Sequence, residues 1–355
     1  MKKMKTVLIT GSSGLVGSES VSFFSKISEN VIGIDNNMRR YFFGAQGDTS
    51  WNKIRLENQF TNFKSKNIDI RNYSELKNIF NEFSNSIDLV IHAAAQPSHD
   101  WAAKDPITDF TVNANGTLNL LELTRKHSPG AVFIFLSTNK VYGDTPNKLP
   151  LVELEKRLEI DLNHDFYQNG IPENMKVDNS MHSLFGASKL SADIVVQEYG
   201  KYFNLKTGIF RGGCLTGPNH SSAELHGFLS YLVNCGVKKK AYNIFGYNGK
   251  QVRDNIHSSD LVNMFYHYFK NPRKGEVYNV GGQRQNSCSI LEAIEKINLF
   301  LDIKINFKIN DNFRKGDHKW WITDMSKFKG HFPNWNQRYD LRSIIEDIYR
   351  KVERE

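Results

Sequence analysis

Three glycines at positions 11, 14 and 17 occupy a short polar turn directly after the apolar run Val7–Ile9. Glycines in such a turn allow a tight bend, a close approach of the backbone to a phosphate, and close packing of a following helix. The amino end of that helix offers N–H donors and a positive dipole end to an anion. The turn therefore predicts a pyrophosphate site. Its expected contact residues are Gly11, Ser13, Gly14, Leu15, Val16 and Gly17.

An acidic residue, Asp35, follows the second apolar β-branched run, Val31–Ile34. A carboxylate at this distance from a glycine-rich turn accepts hydrogen bonds from the ribose of a dinucleotide and repels a 2′-phosphate. We therefore predict NAD as the cofactor, with Asn36 beside the same ribose. Arg39 and Arg40 lie close enough to favour a 2′-phosphate instead, and the carboxylate decides between the two.

The first two-thirds of the chain alternate short buried-strand patterns with helix-like stretches. Val7–Ile9, Val31–Ile34, Leu89–Ile91 and Val132–Leu136 are the apolar runs of this pattern. Such alternation predicts an α/β fold, a Rossmann-type doubly wound parallel sheet. We expect an NAD-binding domain over residues 1–213, resumed at about 254–282. A smaller, mixed α/β substrate-binding domain is expected over 214–253 and 283–355.

Composition limits the class of protein. Apolar residues make up 39% and charged residues 24% of the 355 residues, as in ordinary globular proteins. The formal charge is +8, but only Lys238–Lys240 forms a dense basic run, so nucleic acid is not an expected partner. No apolar stretch has membrane-spanning length. The three cysteines are far apart, without metal-ligand spacing, and indicate a reducing, cytoplasmic location and no metal.

Further motifs resemble those of one family, the extended short-chain dehydrogenases/reductases that act as NAD-dependent nucleotide-sugar epimerases and dehydratases. Besides the glycine turn, they are Asp69-Ile70, Ile91-His-Ala-Ala-Ala95, Asn113-Ala-Asn-Gly-Thr117, Ser137-Thr-Asn-Lys-Val-Tyr-Gly143 and Arg253-Asp254. The resemblance extends from Val7 to about Gly282. It implies tightly held NAD, a nucleotide-sugar substrate, and a homodimer formed through the helices at 112–126 and 185–203.

Within this family, the segment Ser137–Gly143 is most similar to the CDP-tyvelose (CDP-paratose) 2-epimerases. The 4,6-dehydratases carry two acidic residues where this chain has Asn139 and Lys140. The resemblance therefore favours epimerisation of a CDP-linked hexose at C2, through a transient keto sugar. A dehydratase or a 4-epimerase of the same family is the alternative.

The resemblance also assigns individual roles. Asp69 and Ile70 would flank the adenine, and Ala93, Ala94, Ala95, Asn113 and Ser137 would line the rest of the cofactor. Thr138 would hydrogen-bond the reacting sugar hydroxyl, and Lys189 would hold the nicotinamide ribose. Arg253 would clamp the substrate diphosphate. The remaining expected substrate contacts are Asn139, Lys140, Cys214 and Arg314. For the tail tryptophans, Trp320, Trp321 and Trp335, we expect packing rather than binding.

One position departs from the family. Its catalytic pair is Tyr-x-x-x-Lys, but this chain has Phe185 four residues before Lys189. A phenyl ring cannot take a proton, and loss of a general base costs about 10²–10⁴ in rate. Either another group moves the proton, or the residue was changed to trap substrate, or the chain is a non-catalytic NAD-binding protein. We favour the first. The candidate groups are Cys214, His182, His220, Glu224 and Lys140.

Overall fold

The computed structural model describes residues 3–224, 226–310 and 316–354. Its strands are β1 (Met4–Thr10), β2 (Ser28–Ile34), β3 (Phe63–Lys66), β4 (Ile87–His92), β5 (Val132–Thr138), β6 (Leu151–Glu153), β7 (Leu158–Ile160), β8 (Lys206–Gly212), β9 (Cys214–Thr216), β10 (Tyr242–Phe245), β11 (Val252–His257), β12 (Glu276–Val280), β13 (Ser287–Ser289), β14 (Phe307–Asn310) and β15 (Trp320–Trp321).

The helices are α1 (Leu15–Phe24), α2 (Met38–Phe43), α3 (Ser50–Gln59), α4 (Tyr73–Glu82), α5 (His99–Lys104), α6 (Pro106–Phe110), α7 (Gly116–His127), α8 (Phe166–Asn169), α9 (Ser183–Lys201), α10 (Phe228–Val237), α11 (Ser258–Lys270), α12 (Ile290–Leu301), α13 (Ser326–His331) and α14 (Leu341–Glu353). None of these helices is both long enough and apolar enough to cross a membrane.

The largest sheet has seven strands in the order β12-β8-β5-β4-β1-β2-β3. Strand β1 pairs in parallel with β2 on one side and with β4 on the other. The strand order therefore reverses between β1 and β4, and this is where a doubly wound sheet binds ligands at its carboxyl edge. The predicted Rossmann-type fold is confirmed.

The first compact unit comprises Met1–Thr138, Leu184–Arg211 and Leu261–Tyr278. Its apolar strands supply a core in which Leu8, Ile32, Val90 and Phe133 are fully buried. These residues come from the runs that the sequence marks as buried strands, because both faces of a parallel sheet are covered by helices.

The second compact unit comprises Asn139–Ser183, Gly212–Asp260 and Asn279–Glu355. Strand β11 pairs with β9, β13 and β15 in a small mixed sheet. A separate core unites α10, α12 and α14, with Leu232, Ile297 and Ile344 fully buried. A capping box formed by Ser289 and Glu292 starts α12 and satisfies its first N–H groups.

Two irregular segments contain more regular structure than their composition indicates. Residues 38–60, an aromatic insertion in sequence, form α2, a short 3₁₀ turn and α3. The polar segment 145–181 contains the antiparallel pair β6–β7 and the short helix α8. The predicted helix at 112–126 begins as a π-helical turn over Thr111–Asn115 and continues as α7.

Candidate functional site

The glycine turn connects β1 to α1. Gly11 has a φ of 65°, which glycine adopts without strain. A Cβ on Gly17 would lie 2.0 Å from the carbonyl oxygen of Gly11, so only glycine allows this close packing. Gly14 is the N-cap of α1 and no side chain caps the helix there. Because no side chain caps them, the first N–H groups of α1 suit the anion site that the sequence predicts.

Asp35 directly follows β2 and contacts the glycine turn. Its carboxylate accepts hydrogen bonds from the backbone N–H groups of Ser13, at 2.9 Å, and Asn37, at 2.8 Å. Burial raises the pKa of Asp35, and these two donors oppose the rise. Each carboxylate oxygen has a second lone pair, so Asp35 can still accept from a ribose hydroxyl.

Two of the other residues predicted near the adenosine, Asn36 and Asp69, are joined to each other. The Asn36 amide donates to an Asp69 oxygen at 3.2 Å, and Arg71 forms an ion pair with Asp69 at 2.7 Å. Ile70 is buried in the core, against Gly116, where a Cβ would lie 2.6 Å from the isoleucine side chain. Arg71 does not follow from the glycine and aspartate motif.

The three alanines after β4 lie against the glycine turn. The backbone N–H of Ala94 donates to the Thr10 hydroxyl at 3.2 Å. A Cβ on Gly11 would lie 2.8 Å from the nitrogen of Ala94, so the two segments touch. Ala93 and Ala95 flank this contact in the chain, and all three alanines are partly exposed. Small side chains here leave the carboxyl edge of β1 and β4 accessible.

Thr138, Ser137 and Lys189 come together at the end of β5. Thr138 is the last residue of the strand and is half-buried. The buried Lys189 ammonium donates to the carbonyl oxygen of Leu136 at 2.8 Å and lies 4.2 Å from the ring centre of Phe135. Burial lowers the pKa of Lys189 to about 7. The Ser137 hydroxyl donates to Asp193 at 2.6 Å.

Asp193 is a buried support for this corner. The guanidinium of Arg211 meets it with two hydrogen bonds, of 2.9 and 2.8 Å. A bidentate pair of this kind fixes both side chains in the buried interior. Asp193 therefore ties α9, which carries Phe185 and Lys189, to strands β5 and β8.

Asn113 lies within a buried polar network at the start of α7. Its side-chain oxygen accepts from the backbone N–H of Gln96 at 3.0 Å, and its amide donates to the Ser188 hydroxyl, also at 3.0 Å. Asp109 accepts from the amides of Asn113 and Gln96, at 3.1 and 2.6 Å. The network joins the segment after β4 to α9.

Phe185 is buried, with 7% of its surface exposed. The ring of His99 meets it edge-on, with centroids 5.0 Å apart and planes inclined by 64°. His99 starts α5 and is not singled out by any motif. The position of the family tyrosine is thus filled by an apolar ring that touches an imidazole.

In the second unit, Lys140 and Arg253 meet at one carboxylate. Asp317 accepts from Lys140 at 3.1 Å and from Arg253 at 2.7 Å. Burial alone would raise the pKa of Asp317, but the two cations hold it well below its usual range. Burial lowers the pKa of Lys140. Three charged side chains therefore share one small volume with a net charge of +1.

Cys214 begins β9 and lies within the electrostatic field of the same three groups. Burial raises the pKa of its thiol to about 12, against the lowering effect of Arg253 and Lys140. A thiol with this pKa stays protonated at neutral pH, so Cys214 is poorly suited to accept a proton. Asn139, which the sequence also predicts beside the substrate, is buried.

The remaining proton-transfer candidates also belong to the second unit, and His182 lies beside Gly143, where a Cβ would be 3.0 Å from its Nδ1. His220 packs edge-on against His226 at 5.5 Å, and the exposed Glu224 accepts from Asn243 at 2.5 Å. His182 is half-buried. Arg314 lies outside the described residues. Trp320, Trp321 and Trp335 are at most 2% exposed, which confirms packing as their role.

Together, the features of the first unit fit a dinucleotide. The uncapped helix end suits a diphosphate, Asp35 suits a ribose hydroxyl, and the buried Lys189 lies at the end of a central strand. Bound there, NAD would supply a hydride acceptor and donor. Three side chains of the first unit that organise these groups carry no sequence signal of their own: Asn52, whose amide donates to the Ser13 carbonyl oxygen at 2.9 Å, Arg71 and Asp193. In the second unit, Asp317 organises Lys140 and Arg253.

The sequence profile of the NAD dependent epimerase/dehydratase family matches residues 7–281. The chain is 29% identical to CDP-paratose 2-epimerase of Salmonella typhi over 97% of this chain and 98% of that one. It is also 29% identical to UDP-glucuronate 4-epimerase of Thermodesulfobacterium geofontis over 97% and 94% of the two chains.

Among solved structures, a UDP-glucuronic acid 4-epimerase from Bacillus cereus superimposes with a TM-score of 0.79 and 24% identity, over 98% of this chain and 99% of that one. That protein is a tyrosine-to-phenylalanine variant in complex with a fluorinated UDP-sugar and NAD. The superposition supports the same fold. With a family profile that covers most of its length, the chain belongs to the NAD dependent epimerase/dehydratase family of short-chain dehydrogenase/reductase-type proteins.

Proposed function

We propose that the chain is an NAD-dependent epimerase that inverts C2 of a CDP-linked hexose. The observation that carries this proposal is the pairing of Lys140 with Asp317 at 3.1 Å. Lys140 and the preceding Asn139 stand where the family's 4,6-dehydratases have two acidic residues. A lysine held by a carboxylate and an amide are not two carboxyl groups, so at these positions the chain lacks the acidic pair of the dehydratases.

The cofactor is held by the first unit. The N–H groups at the start of α1 would bind its diphosphate, and Asp35 would accept from the adenosine ribose. Lys189 would hydrogen-bond the nicotinamide ribose. Because epimerisation ends with no net change in redox state, NAD can remain bound throughout.

The chemistry follows from what each side chain can do to the sugar. Thr138 donates a hydrogen bond to the reacting oxygen, which stabilises negative charge as the carbonyl forms. Bound NAD would supply the acceptor and donor of the hydride, and a base would take the hydroxyl proton. Return of hydrogen to the opposite face of the carbon would invert the centre. Arg253 binds the substrate diphosphate, because a guanidinium forms two parallel hydrogen bonds with phosphate.

A 4-epimerase acting on a UDP-sugar is the second candidate. It is favoured by the equal identity, 29%, to the UDP-glucuronate 4-epimerase. The same residues serve either reaction, since both need a hydride acceptor, a base and a diphosphate clamp. The two candidates differ in the base of the nucleotide and in the carbon that is inverted.

The test is proton NMR of the purified protein with NAD, incubated in turn with CDP-glucose, CDP-paratose, and UDP- and GDP-hexoses. We expect a CDP-sugar to be converted to its C2 epimer. If the protein inverts C4 of a UDP-sugar and converts no CDP-sugar, the second candidate would be supported instead. A 4-keto-6-deoxy product would contradict epimerisation. If the protein binds NAD but neither binds nor converts any nucleotide sugar, a non-catalytic protein would be supported.

A further inference from the structure

Phe185 leaves a redox epimerase without its expected proton acceptor, and the first unit places a titratable ring beside it. The imidazole of His99 and the phenyl ring of Phe185 are in edge-on contact, with centroids 5.0 Å apart. No other side chain fits between two rings at this distance. A neutral imidazole can accept a proton at a ring nitrogen.

Neighbouring polar groups are committed to other partners. The Ser188 hydroxyl donates to the carbonyl oxygen of Phe185 at 3.1 Å. His92, fully buried, hydrogen-bonds Thr10 and Thr117 through its two nitrogens, at 2.7 and 2.9 Å. Burial holds the pKa of His92 well below its usual value. Both side chains are therefore engaged in hydrogen bonds within the protein.

The backbone that carries His99 is fixed by Gln96. The Gln96 side chain accepts from the backbone N–H of Ser98 at 2.5 Å and donates to the Ser98 carbonyl oxygen at 2.9 Å. The same amide donates to Asp109 at 2.6 Å, and the Asn113 side chain makes two hydrogen bonds to the Gln96 backbone, of 3.0 and 3.1 Å.

Gln96, Ser98, Asp109 and Asn113 are all at most 4% exposed. Burying this many polar groups is costly unless each is satisfied, and a satisfied network rigidifies what it holds. The network thereby fixes His99 relative to α9, because Asn113 also bonds Ser188 on that helix. A base must be placed this firmly to reach one hydroxyl.

We infer that His99 is the catalytic base that replaces the family tyrosine. This inference rests on the proposed function. In the first half-reaction the sugar O–H bond breaks and its proton goes to an imidazole nitrogen, while the C–H electron pair leaves as hydride to the bound nicotinamide cofactor and a C=O bond forms. In the second half-reaction hydride returns to the carbon and the imidazolium returns its proton to the oxygen. Phe185 packs against the imidazole and holds its orientation.

The first test is ¹⁵N NMR of histidine-labelled, NAD-loaded protein titrated with CDP and, separately, with CDP-glucose. The His99 signals are assigned by their loss in His99→Gln, whose otherwise unchanged spectrum also verifies the fold. We expect CDP-glucose to shift the His99 signals and CDP alone to leave them in place, because only the sugar reaches the base. Saturating binding of CDP-glucose without a His99 shift would overturn the inference.

The second test is steady-state kinetics on the CDP-sugar that the protein converts. We expect His99→Gln to lower kcat by about 10²–10⁴ with little change in KM, as for loss of a general base. Adding Phe185→Tyr to His99→Gln should recover much of kcat, since a phenol then takes the proton. His127→Gln, in the same unit, is the matched control and should keep full activity.

The outcomes separate the inference from the proposed function. Full kcat in His99→Gln, or no recovery in the double variant, would refute His99 as the base while the epimerase assignment stands. Absence of nucleotide-sugar binding and turnover in the unmodified protein would refute the proposed function, and the role of His99 with it.

Discussion

The ammonium nitrogen of Lys189 lies 2.8 Å from the carbonyl oxygen of Leu136, two residues before the end of the central strand β5. The contact takes a lysine out of water, and burial lowers its pKa to about 7. Lys189 is therefore charged below about pH 7 and neutral above it. Properties that depend on this charge change with pH in a direction that can be predicted.

We expect Lys189 to titrate near pH 7 in the cofactor-free protein. Reductive ¹³C-methylation and NMR should show one lysine signal titrating about three pH units below the exposed lysines, which titrate near 10.4. Lys189→Arg should remove that signal. An NMR titration in which every lysine signal moves near pH 10 would contradict the buried environment.

The same shift makes stability depend on pH. Between pH 7 and 10.5, the unfolded chain binds a proton at Lys189 that the folded chain does not. The contribution of Lys189 to stability therefore falls as the pH is lowered through this range, and is constant below about 7. Urea unfolding of the unmodified protein and of Lys189→Met at pH 7 and pH 9.5 should show a smaller difference between the two pH values in the variant.

Gly17→Ala should disrupt the glycine turn, because a Cβ there would lie 2.0 Å from the Gly11 carbonyl oxygen. We expect a loss of about 1–3 kcal/mol in the free energy of unfolding and a smaller stabilisation by added NAD. The control is Gly130→Ala, where a Cβ meets nothing within 4 Å. Thermal unfolding with and without NAD measures both effects. Equal behaviour of the two variants would refute the role of Gly17.

Arg253→Gln should weaken CDP binding at least tenfold, because it removes charge-assisted hydrogen bonds worth about 1.5–3 kcal/mol each. The remaining affinity should depend less on salt. Isothermal titration calorimetry at two salt concentrations measures this. The control is Arg342→Gln, since that guanidinium is 63% exposed and pairs with Glu346 on α14. Unchanged CDP affinity in Arg253→Gln would remove Arg253 from the substrate site.

Exposed apolar side chains on α7 and α9 lead us to expect a homodimer. Leu118, Leu184 and Ile194 are 42%, 49% and 48% exposed. Ile194→Asp should convert a dimer to a monomer, because it places a charge in an apolar interface. Leu299→Asp, at a position 79% exposed on α12, should leave the mass unchanged. Light scattering after size-exclusion chromatography measures the molar mass of each protein. A monomeric mass for the unmodified protein would contradict the expectation.

The central sheet follows from the sequence because its strands are buried on both faces. A continuous apolar run is best interpreted as a buried strand when a glycine turn follows it, as after Val7–Ile9, or an acidic residue, as after Val31–Ile34. The α2–α3 insertion was harder to predict, since α3 buries few side chains and its key contact is a single amide, that of Asn52, at the Ser13 carbonyl oxygen.

The candidate site is predictable only where a motif is local. The phosphate-binding turn and the Phe185–Lys189 pair each occupy one short segment. The contacts of His99 with Phe185 and of Asp317 with Lys140 join residues 86 and 177 positions apart, and no periodicity reports them. Cys214 shows a second limit of prediction from sequence. Family resemblance places it near the substrate, but the pKa of its thiol is raised mainly by burial, which the sequence does not reveal.

The most direct test of the proposed function is turnover of a CDP-hexose by the NAD-loaded protein in D₂O, followed by proton NMR. A redox epimerase removes the hydrogen of the inverted carbon as hydride and returns it, so we expect the C2 epimer to keep protium at C2. Deuterium at the inverted carbon would indicate deprotonation by a different mechanism and contradict the proposal. So would a 4-keto-6-deoxy product, or the recovery of every nucleotide sugar unchanged.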